Sequence, residues 1–228
     1  MRRVVVCAAT RSEHDACGRG LAAADAAHEL LLTGVGPARA ARSLEARLAR
    51  GDAPALVVST GFAGALSPAL ALSSWISGAR VGEWDGVELR FGDMASLAEG
   101  PPDLVRCDVI SSSELVLATA SVATSAERPV VVDMESAALA SVAARRGVPF
   151  AVVRLISDTP ERPLPAFSSA IASALAATRA SSRAAHAGRG FVGAALDPRG
   201  VVRLVRQSLS SLRELELGWR RFAGWLST

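Results

Sequence analysis

Residues 129–160 constrain the fold of this chain more than any other stretch. They contain two apolar runs, 129–132 and 150–156, of the kind that forms buried strands. Between the runs lies a helix pattern over 136–146, and a glycine and a proline follow it as a helix stop. A strand, a helix and a strand in about thirty residues predict a βαβ unit, whose two strands lie parallel in one buried sheet.

Carboxylate side chains follow both predicted strands. Asp133 and Glu135 come after the first strand with Met134 between them, and Asp158 comes after the second beside Ser157. Ligands of open α/β sheets bind at the carboxyl ends of the strands, so these side chains are expected to meet in one crevice. The alternative is a local role, with Asp133 as the N-cap of the following helix and Asp158 as a turn residue.

The residues of this stretch also match a known pattern. VDMESAALA followed by GVPFAVVRLISD resembles the signature of the nucleoside phosphorylase and nucleosidase family, which includes the 5′-methylthioadenosine/S-adenosylhomocysteine nucleosidases. STGFAGAL, over 59–66, resembles the family's glycine-rich loop beside the ribose and the nucleophile. The resemblance covers about 4–177 and implies an α/β fold, a three-layer α/β/α sandwich around a mixed, partly barrel-like central sheet.

The resemblance implies three catalytic residues. Asp158 matches the acid that protonates N7 of the purine, and Glu135 matches the acid that hydrogen-bonds the ribose hydroxyls. Glu13 matches the glutamate that activates water in the hydrolases of the family. Arg154 matches a structural arginine. The implied substrate is a small purine nucleoside.

The same resemblance supplies the substrate-binding candidates. Ala63 and Gly64 match the loop that faces the sugar, and Leu115 and Val116 stand where the family has an aromatic residue against the base. The full set of candidates is Met134, Ser157, Asp133, Thr60, Ala63, Gly64, Leu115 and Val116. No metal site and no organic cofactor are expected, although phosphate is a co-substrate if the enzyme is a phosphorylase.

The chemistry of the reaction fits these roles. Cleavage of a purine N-glycosidic bond passes through an oxocarbenium-like sugar, and the base needs a proton so that it does not leave as an anion. Asp158 can supply that proton if partial burial raises its pKa. An ionised Glu135 on the ribose hydroxyls would favour the positive charge that develops on the ring.

The sequence leaves the nucleophile and the substrate open. Glu13 favours water because a carboxylate repels phosphate, whereas Arg11 and Thr60 are the candidate ligands if phosphate is the nucleophile. SDTPERPLP and the Arg-rich tail resemble hopanoid-associated phosphorylases, which cleave adenine from a lipid-linked adenosine. The TRSE segment also allows a futalosine hydrolase-like role. A non-catalytic nucleoside-binding protein is the alternative of another class.

The rest of the chain alternates between strand and helix patterns. Further strands are predicted over 3–9, 29–33, 55–59, 72–81 and 108–111, and helices over 38–50, 166–187 and 201–226. The turn over 34–37 is Gly-Val-Gly-Pro, whose backbone N–H groups could meet an anion. Residues 82–102 are expected to be irregular, 112–126 to be loop and short helix, and 188–200 to break the helical pattern. One domain over 1–187 and a C-terminal helical extension over 188–228 follow.

The last predicted helix carries an apolar stripe. Its members are three or four residues apart: Val201, Val205, Leu209, Leu212, Leu215, Trp219, Phe222 and Leu226. Trp219, Phe222 and Trp225, flanked by arginines, predict a weak contact with a membrane surface beside the substrate entrance. The alternative is that the stripe packs on its own domain or on the partner in a homodimer, the predicted oligomer.

Composition excludes several classes of protein. Half of the 228 residues are hydrophobic, yet no apolar run approaches the roughly 18 residues of a membrane helix. A net charge of +3 without a basic run does not suit a nucleic-acid-binding protein. Three cysteines without metal-like spacing predict neither disulfides nor a zinc site. The first apolar run is too short for a signal peptide, so a cytoplasmic location is expected.

Overall fold

The computed structural model describes residues 3–22, 24, 27–85, 89–91, 97–116, 127–176 and 180–227. The strands are β1 Val4–Ala8, β2 His28–Leu32, β3 Leu56–Ala65, β4 Trp75–Trp84, β5 Leu89–Phe91, β6 Val105–Ser112, β7 Val130–Asp133 and β8 Phe150–Asp158. The helices are α1 Arg11–Leu21, α2 Pro37–Leu48, α3 Ser136–Arg145, α4 Phe167–Ala176, α5 Ala180–Leu196 and α6 Pro198–Phe222. A 3-10 helix, Ala223–Ser227, follows α6.

The strands form one mixed sheet with the order β2-β1-β3-β7-β6-β4-β5. β8 pairs with both β3 and β4 and thereby closes β3, β7, β6, β4 and β8 into a barrel. β1 and β2 extend the sheet from β3 in parallel, and β5 forms an antiparallel pair with β4. The predicted α/β fold with a mixed, partly barrel-like sheet is confirmed.

Helices cover both faces of the sheet because its strand side chains alternate between two buried clusters. Val5 of β1 lies in the cluster under α2 and α3, whereas Val4 and Val6 lie in the cluster under α1 and α6. Leu44 and Leu139 are helix residues of the first cluster. Burying one such aliphatic side chain contributes about 1.5–3 kcal/mol, so these two clusters hold the layers together.

The predicted parallel arrangement of β7 and β8 is wrong. β3 lies between them, parallel to β8 and antiparallel to β7. β8 pairs with β3 along most of the length of β3, whereas only Gly64 and Ala65 of β3 pair with β7. Both strands nevertheless end at one place, since Gly64 pairs with Val132 of β7 and with Asp158 of β8. The acids that follow the two strands therefore still converge.

The sequence analysis missed α1, which starts directly after β1. Thr10 and Glu13 form a capping box, with the Glu13 N–H donating to Thr10 Oγ1 at 3.2 Å and the Thr10 N–H donating to the Glu13 carboxylate at 2.9 Å. The pattern T-x-x-E is a known signal for a helix start. α1 orients Glu13 towards the end of the sheet.

The helices after β8 differ from the prediction. The single helix predicted over 166–187 consists of α4 and α5, and the break predicted over 188–200 is wrong because α5 continues to Leu196. The chain turns instead at Asp197, whose side chain caps α6 by accepting from the Gly200 N–H at 2.8 Å. The predicted boundary between 187 and 188 falls within α5, and the division into a domain and an extension stays a prediction.

Two further segments were predicted to be irregular. The prediction is wrong for part of residues 82–102, which contain the end of β4 and the strand β5. Most of the loop and short helix predicted over 112–126 lies outside the described residues.

The predicted membrane contact through Trp219 and Phe222 is wrong, because 0% of Trp219 and 5% of Phe222 are exposed. The Phe222 ring packs edge-to-face on Trp75 at a centroid distance of 5.1 Å. The part of the stripe on the first half of α6 does not pack on the domain, since Val205 and Leu209 are exposed. α6 therefore packs its C-terminal half on the domain. Within the described residues, no helix is both long and apolar enough to span a membrane.

Candidate active site

A cavity of about 280 Å³ lies where β7 and β8 meet β3. It brings together all the predicted site residues except Thr60: Glu13, Ala63, Gly64, Leu115, Val116, Asp133, Met134, Glu135, Ser157 and Asp158. Residues from α4 and α6 form the remaining wall of the cavity. The convergence that was predicted from the two strand ends thus occurs in three dimensions.

Asp158 is a buried acid at the end of β8. It is 3% exposed, and its Oδ1 accepts a hydrogen bond from Ser157 Oγ at 2.7 Å. Burial raises the pKa of Asp158, and the hydrogen bond from Ser157 opposes that rise. The position requires glycine at 64, because a Cβ there would lie 2.9 Å from Asp158 Oδ2. The side chain is therefore placed to hold a proton at higher pH than an exposed aspartate does.

Glu135 is also buried, and Gly36 holds it. Glu135 Oε1 accepts from the Gly36 N–H at 2.9 Å, so the Gly-Val-Gly-Pro turn meets a carboxylate of the protein itself. Burial and then the charge of Asp133 raise the pKa of Glu135 to about 8, against the opposing effect of Arg154. Burial and the charge of Asp133 therefore favour the protonated form of Glu135 more than an exposed site would.

This raised pKa predicts that the protein loses stability as the pH rises. Between the pKa of Glu135 in the unfolded chain, 4.5, and its folded value of about 8, the folded state binds more protons than the unfolded state. The free energy of unfolding then falls by up to about 1.4 kcal/mol per pH unit across this window. We expect Glu135→Gln to flatten that fall in urea titrations at pH 5, 6.5 and 8.

The matched control for this prediction is Glu45→Gln, which alters a carboxylate that is 45% exposed and paired with Arg145. It should leave the pH dependence as in the wild type. A Glu135→Gln variant that loses as much stability between pH 5 and pH 8 as the wild type would contradict the assignment.

Asp133 lines the cavity, but both of its carboxylate oxygens already accept hydrogen bonds from other residues of the protein. Its Oδ2 accepts from Arg154 Nη2 at 2.6 Å and from Ser136 Oγ. Its Oδ1 accepts from the backbone N–H groups of Glu135 and Ser136, each at 3.2 Å, and from Ser111 Oγ. Asp133 thus satisfies backbone donors at the start of α3, but the N-cap of this helix is Glu135 and not Asp133, as the local alternative had it.

Arg154 is the cation at the centre of this network. It is 2% exposed and donates to Thr60 O at 2.6 Å and to Ser59 Oγ at 2.8 Å, in addition to Asp133. Its Nε has no hydrogen-bond partner within the described residues. The buried ion pair of Arg154 and Asp133 therefore joins the middle of β8 to the end of β7, and the contacts with Ser59 and Thr60 join Arg154 to the middle of β3.

Glu13 reaches the cavity from α1. Its Oε2 accepts from the Thr10 N–H at 2.9 Å and from Thr10 Oγ1 at 2.7 Å, and its Oε1 accepts from the Phe62 N–H at 3.0 Å. Gly61 passes directly beside it with φ +126°, where a Cβ would lie 2.4 Å from Glu13 Oε1. These contacts hold the carboxylate in one orientation at the wall of the cavity.

The two candidate phosphate ligands lie outside the cavity. The Thr60 side chain points into the cluster under α6, where its Oγ1 accepts from Trp219 Nε1 at 2.9 Å. The segment was expected to be a loop, whereas it is part of β3, and only its later residues, from Phe62 on, reach the cavity. Arg11 is 73% exposed on α1 and lies 4.0 Å from the Asp15 carboxylate.

The sequence analysis missed the wall formed by α4 and α6. Ser168 and Ile171 of α4 and Leu204, Gln207 and Ser211 of α6 line the cavity. Gln207 is not one of the residues of the predicted apolar stripe. Its spacing from Ser211, and that of Ser211 from the buried Leu215, is a helical repeat that continues the buried side of α6 and could have located it.

A few buried polar groups take part in none of these contacts. The Ser168 Oγ is buried without a hydrogen-bond partner in the part of the chain that the structure describes. Over the same part, no cluster of His, Cys, Asp and Glu side chains is arranged to hold a metal ion. Cys7, Cys17 and Cys107 are buried free thiols.

Comparison with known proteins agrees with the geometry. The family model of the phosphorylase superfamily matches residues 126–192, which include β7, α3 and β8 with Asp133, Glu135 and Asp158. No curated protein sequence matches the chain significantly. The match falls on the stretch from which the resemblance was inferred.

Solved structures share the fold. The 5′-methylthioadenosine/S-adenosylhomocysteine nucleosidase of Helicobacter pylori, solved with butyl-thio-DADMe-Immucillin-A, has a TM-score of 0.57 at 17% identity over 71% of this chain and 88% of its own. The futalosine hydrolase of Helicobacter pylori has a TM-score of 0.56 at 17% identity over 83% and 97%.

A third structure is the MTA/SAH nucleosidase of Streptococcus pneumoniae in complex with 8-aminoadenine, with a TM-score of 0.55 at 20% identity over 71% and 88%. The predicted resemblance to the nucleoside phosphorylase and nucleosidase family is thus confirmed, and the fold is that of these proteins. The family match over 126–192 agrees with the predicted class of enzyme, a nucleosidase or a phosphorylase.

Proposed function

We propose that the protein cleaves the N-glycosidic bond of a purine nucleoside of the adenosine type and releases the free base. The observation that carries this proposal is the position of Asp158, a buried acid with a raised pKa in the same cavity as Glu13 and Glu135. Because burial raises its pKa, this acid keeps its proton to higher pH than an exposed aspartate does, which favours delivery of the proton to a leaving base. The shared nucleosidase fold supports the same reaction.

In the proposed reaction, Asp158 donates its proton to N7 as the bond between C1′ and N9 breaks. The electron pair of that bond goes to the base, and C1′ develops positive charge. Glu135 binds the ribose hydroxyls, and donation from these hydroxyls to its carboxylate favours the ionised form that stabilises this charge. Water adds its oxygen to C1′, and Glu13 accepts the proton that the water loses.

Water is the better-supported nucleophile. Glu13, Asp133 and Glu135 line the cavity, and Arg154 beside them is already paired with Asp133. Carboxylates around the nucleophile site repel phosphate, and the candidate phosphate ligands Arg11 and Thr60 do not line the cavity. We therefore favour hydrolysis, with phosphorolysis as the alternative.

The test uses adenosine, methylthioadenosine and inosine, with chromatography of both products in the presence and absence of phosphate. The wild type should release the base and free ribose, or the 5′-substituted ribose, even in phosphate buffer. Glu13→Gln should lower kcat by about 10²–10⁴-fold if Glu13 is the general base. Glu45→Gln, which alters an exposed acid, is the control and should retain full activity.

Ribose 1-phosphate as the sugar product would overturn hydrolysis and leave the cleavage itself intact. Binding of a nucleoside without any release of base would instead support the non-catalytic binding protein. The predicted homodimer and the cytoplasmic location stay part of this proposal.

Cleavage of an adenosylated lipid is the second candidate function. It is favoured by the apolar wall of the cavity, where Leu164, Leu175 and Leu204 lie, and by the partial exposure of Leu175 at that wall, 51%. The same assay distinguishes it when 5′-alkylthioadenosines of increasing chain length are included. A KM that falls with each added methylene supports a lipid-linked substrate, whereas a KM that rises supports a small nucleoside, including a futalosine-like one.

A further inference from the structure

The face of α6 that packs on the domain is apolar in the C-terminal half of the helix and carries polar side chains nearer its N-terminus. Leu215, Trp219 and Phe222 are buried in the cluster against α1 and β1, which anchors the second half of the helix. One helical repeat earlier, the same face carries Gln207 and Ser211, and both line the cavity. Ser211 is 5% exposed, so it is a buried polar residue and not part of a solvated surface. Polar groups on an otherwise apolar buried face need a partner.

Gln207 has such a partner at the end of β8. Its side-chain Nε2 donates a hydrogen bond to the backbone carbonyl of Ser157. This carbonyl belongs to a bulge, because Ile156 pairs with Ala63 and Asp158 pairs with Gly64, which leaves Ser157 without a paired residue on β3. A bulge re-aims the side chains next to it, and its free backbone groups must be satisfied from outside the ladder.

The bulge connects Gln207 to Asp158. The side chain of Ser157 donates to Asp158 Oδ1 at 2.7 Å and lies 3.4 Å from the backbone carbonyl of Ala63. Gln207 holds the main chain of Ser157, and Ser157 holds the carboxylate of Asp158. The contact therefore links the anchored helix α6 to the orientation of the buried acid through a single residue.

We propose that Gln207 is a positioning residue for Asp158, in that its amide fixes the bulge at Ser157 and thereby aims the acid at the substrate. The proposal rests on the proposed function for the role of Asp158 in catalysis. It makes α6 a part of the active site, although the sequence resemblance covers only about residues 4–177. Without the amide, the Ser157 carbonyl must find water, and the bulge can relax.

The experiment compares Gln207→Leu and Gln207→Ala with Arg206→Ala, which alters the exposed neighbour on α6. Gln207→Leu retains the reach of the side chain but removes the donor. Displacement of a catalytic group by about 1 Å can cost about 10²-fold in rate, so both Gln207 variants should lose about 10–100-fold in kcat with little change in KM. Arg206→Ala should match the wild type.

A second measurement separates positioning from a loss of folded protein and does not need turnover. The ¹³C signal of the Asp158 carboxyl, assigned with Asp158→Asn, is titrated with pH in each variant. Because water that enters at the bulge hydrates the carboxylate, Asp158 should titrate at lower pH in both Gln207 variants, and the alkaline limb of the kcat profile should move in the same direction.

Three outcomes are distinguishable. A shifted titration with reduced kcat supports the proposal. An unchanged titration overturns it, and if Tm and kcat are then both reduced, the role of Gln207 is merely structural. A shifted titration in a protein whose wild type releases no base supports the positioning contact while it rejects the proposed function.

Discussion

Asp158→Asn should abolish the release of purine base while nucleoside binding survives. Asparagine keeps the shape of the side chain and can still accept the hydrogen bond from Ser157, but it has no acidic proton to deliver to N7. General acid catalysis contributes about 10²–10⁴-fold, or about 3–5 kcal/mol of barrier, so kcat should fall by that factor. The rate is measured by chromatography of the free base and the affinity by calorimetry with the nucleoside.

Two controls accompany this prediction. Glu161→Gln removes a carboxylate from an exposed position three residues further along the chain and should not change kcat. A 4-nitrophenyl riboside, whose leaving group needs little protonation, should be cleaved by Asp158→Asn at close to the wild-type rate. If Asp158→Asn turned over purine nucleosides as fast as the wild type, the role of Asp158 as the acid would be wrong.

Arg154→Met should destabilise the protein by about 3–5 kcal/mol. Arg154 and Asp133 form an ion pair whose side chains are 2% and 1% exposed, and methionine would leave the Asp133 carboxylate buried without its cation. The charges of Glu135 and Glu13 also act on Arg154, so the loss affects the whole acidic cavity. Urea unfolding followed by circular dichroism measures the effect.

The matched control is Arg145→Met. Arg145 pairs with Glu45 at 2.6 Å, but the two side chains are 56% and 45% exposed, and such surface pairs contribute about 0–1 kcal/mol. The double variant Arg154→Met with Asp133→Asn should recover part of the loss, because it removes the unpaired charge. An Arg154→Met protein within about 1 kcal/mol of the wild type would contradict the assigned importance of the buried pair.

The local elements around the cavity could be predicted from the sequence with useful accuracy. Apolar runs ended by acids located β7 and β8, and the glycine and proline after α3 located its end. The convergence of Asp158 and Glu135 was predicted correctly, although the parallel arrangement of the two strands from which it was inferred is wrong. The direction of β7 could not be predicted, because closure of the barrel depends on long-range pairing with β3 that periodicity along one segment does not encode.

The remaining errors have separate physical causes. The capping box of Thr10 and Glu13 was visible in the sequence, but no helix was predicted after the first strand, so α1 was missed. Thr60 was expected at the substrate, yet β3 continues through it and its hydroxyl is bonded by Trp219 in the cluster under α6. Gln207 was missed because the predicted stripe on the first half of α6 runs through Val205 and Leu209. In the structure these two residues are exposed, and Gln207 lines the cavity.

The most direct test of the proposed reaction compares base release by the wild type from adenosine and from 7-deazaadenosine. The two nucleosides have nearly the same shape, but the second has a carbon in place of N7 and cannot take a proton there. If Asp158 delivers its proton to N7, adenosine should yield free adenine, and the deaza analogue should react at least about 10²-fold more slowly while it still binds. Equal rates for the two, or no adenine from adenosine at all, would contradict the proposal.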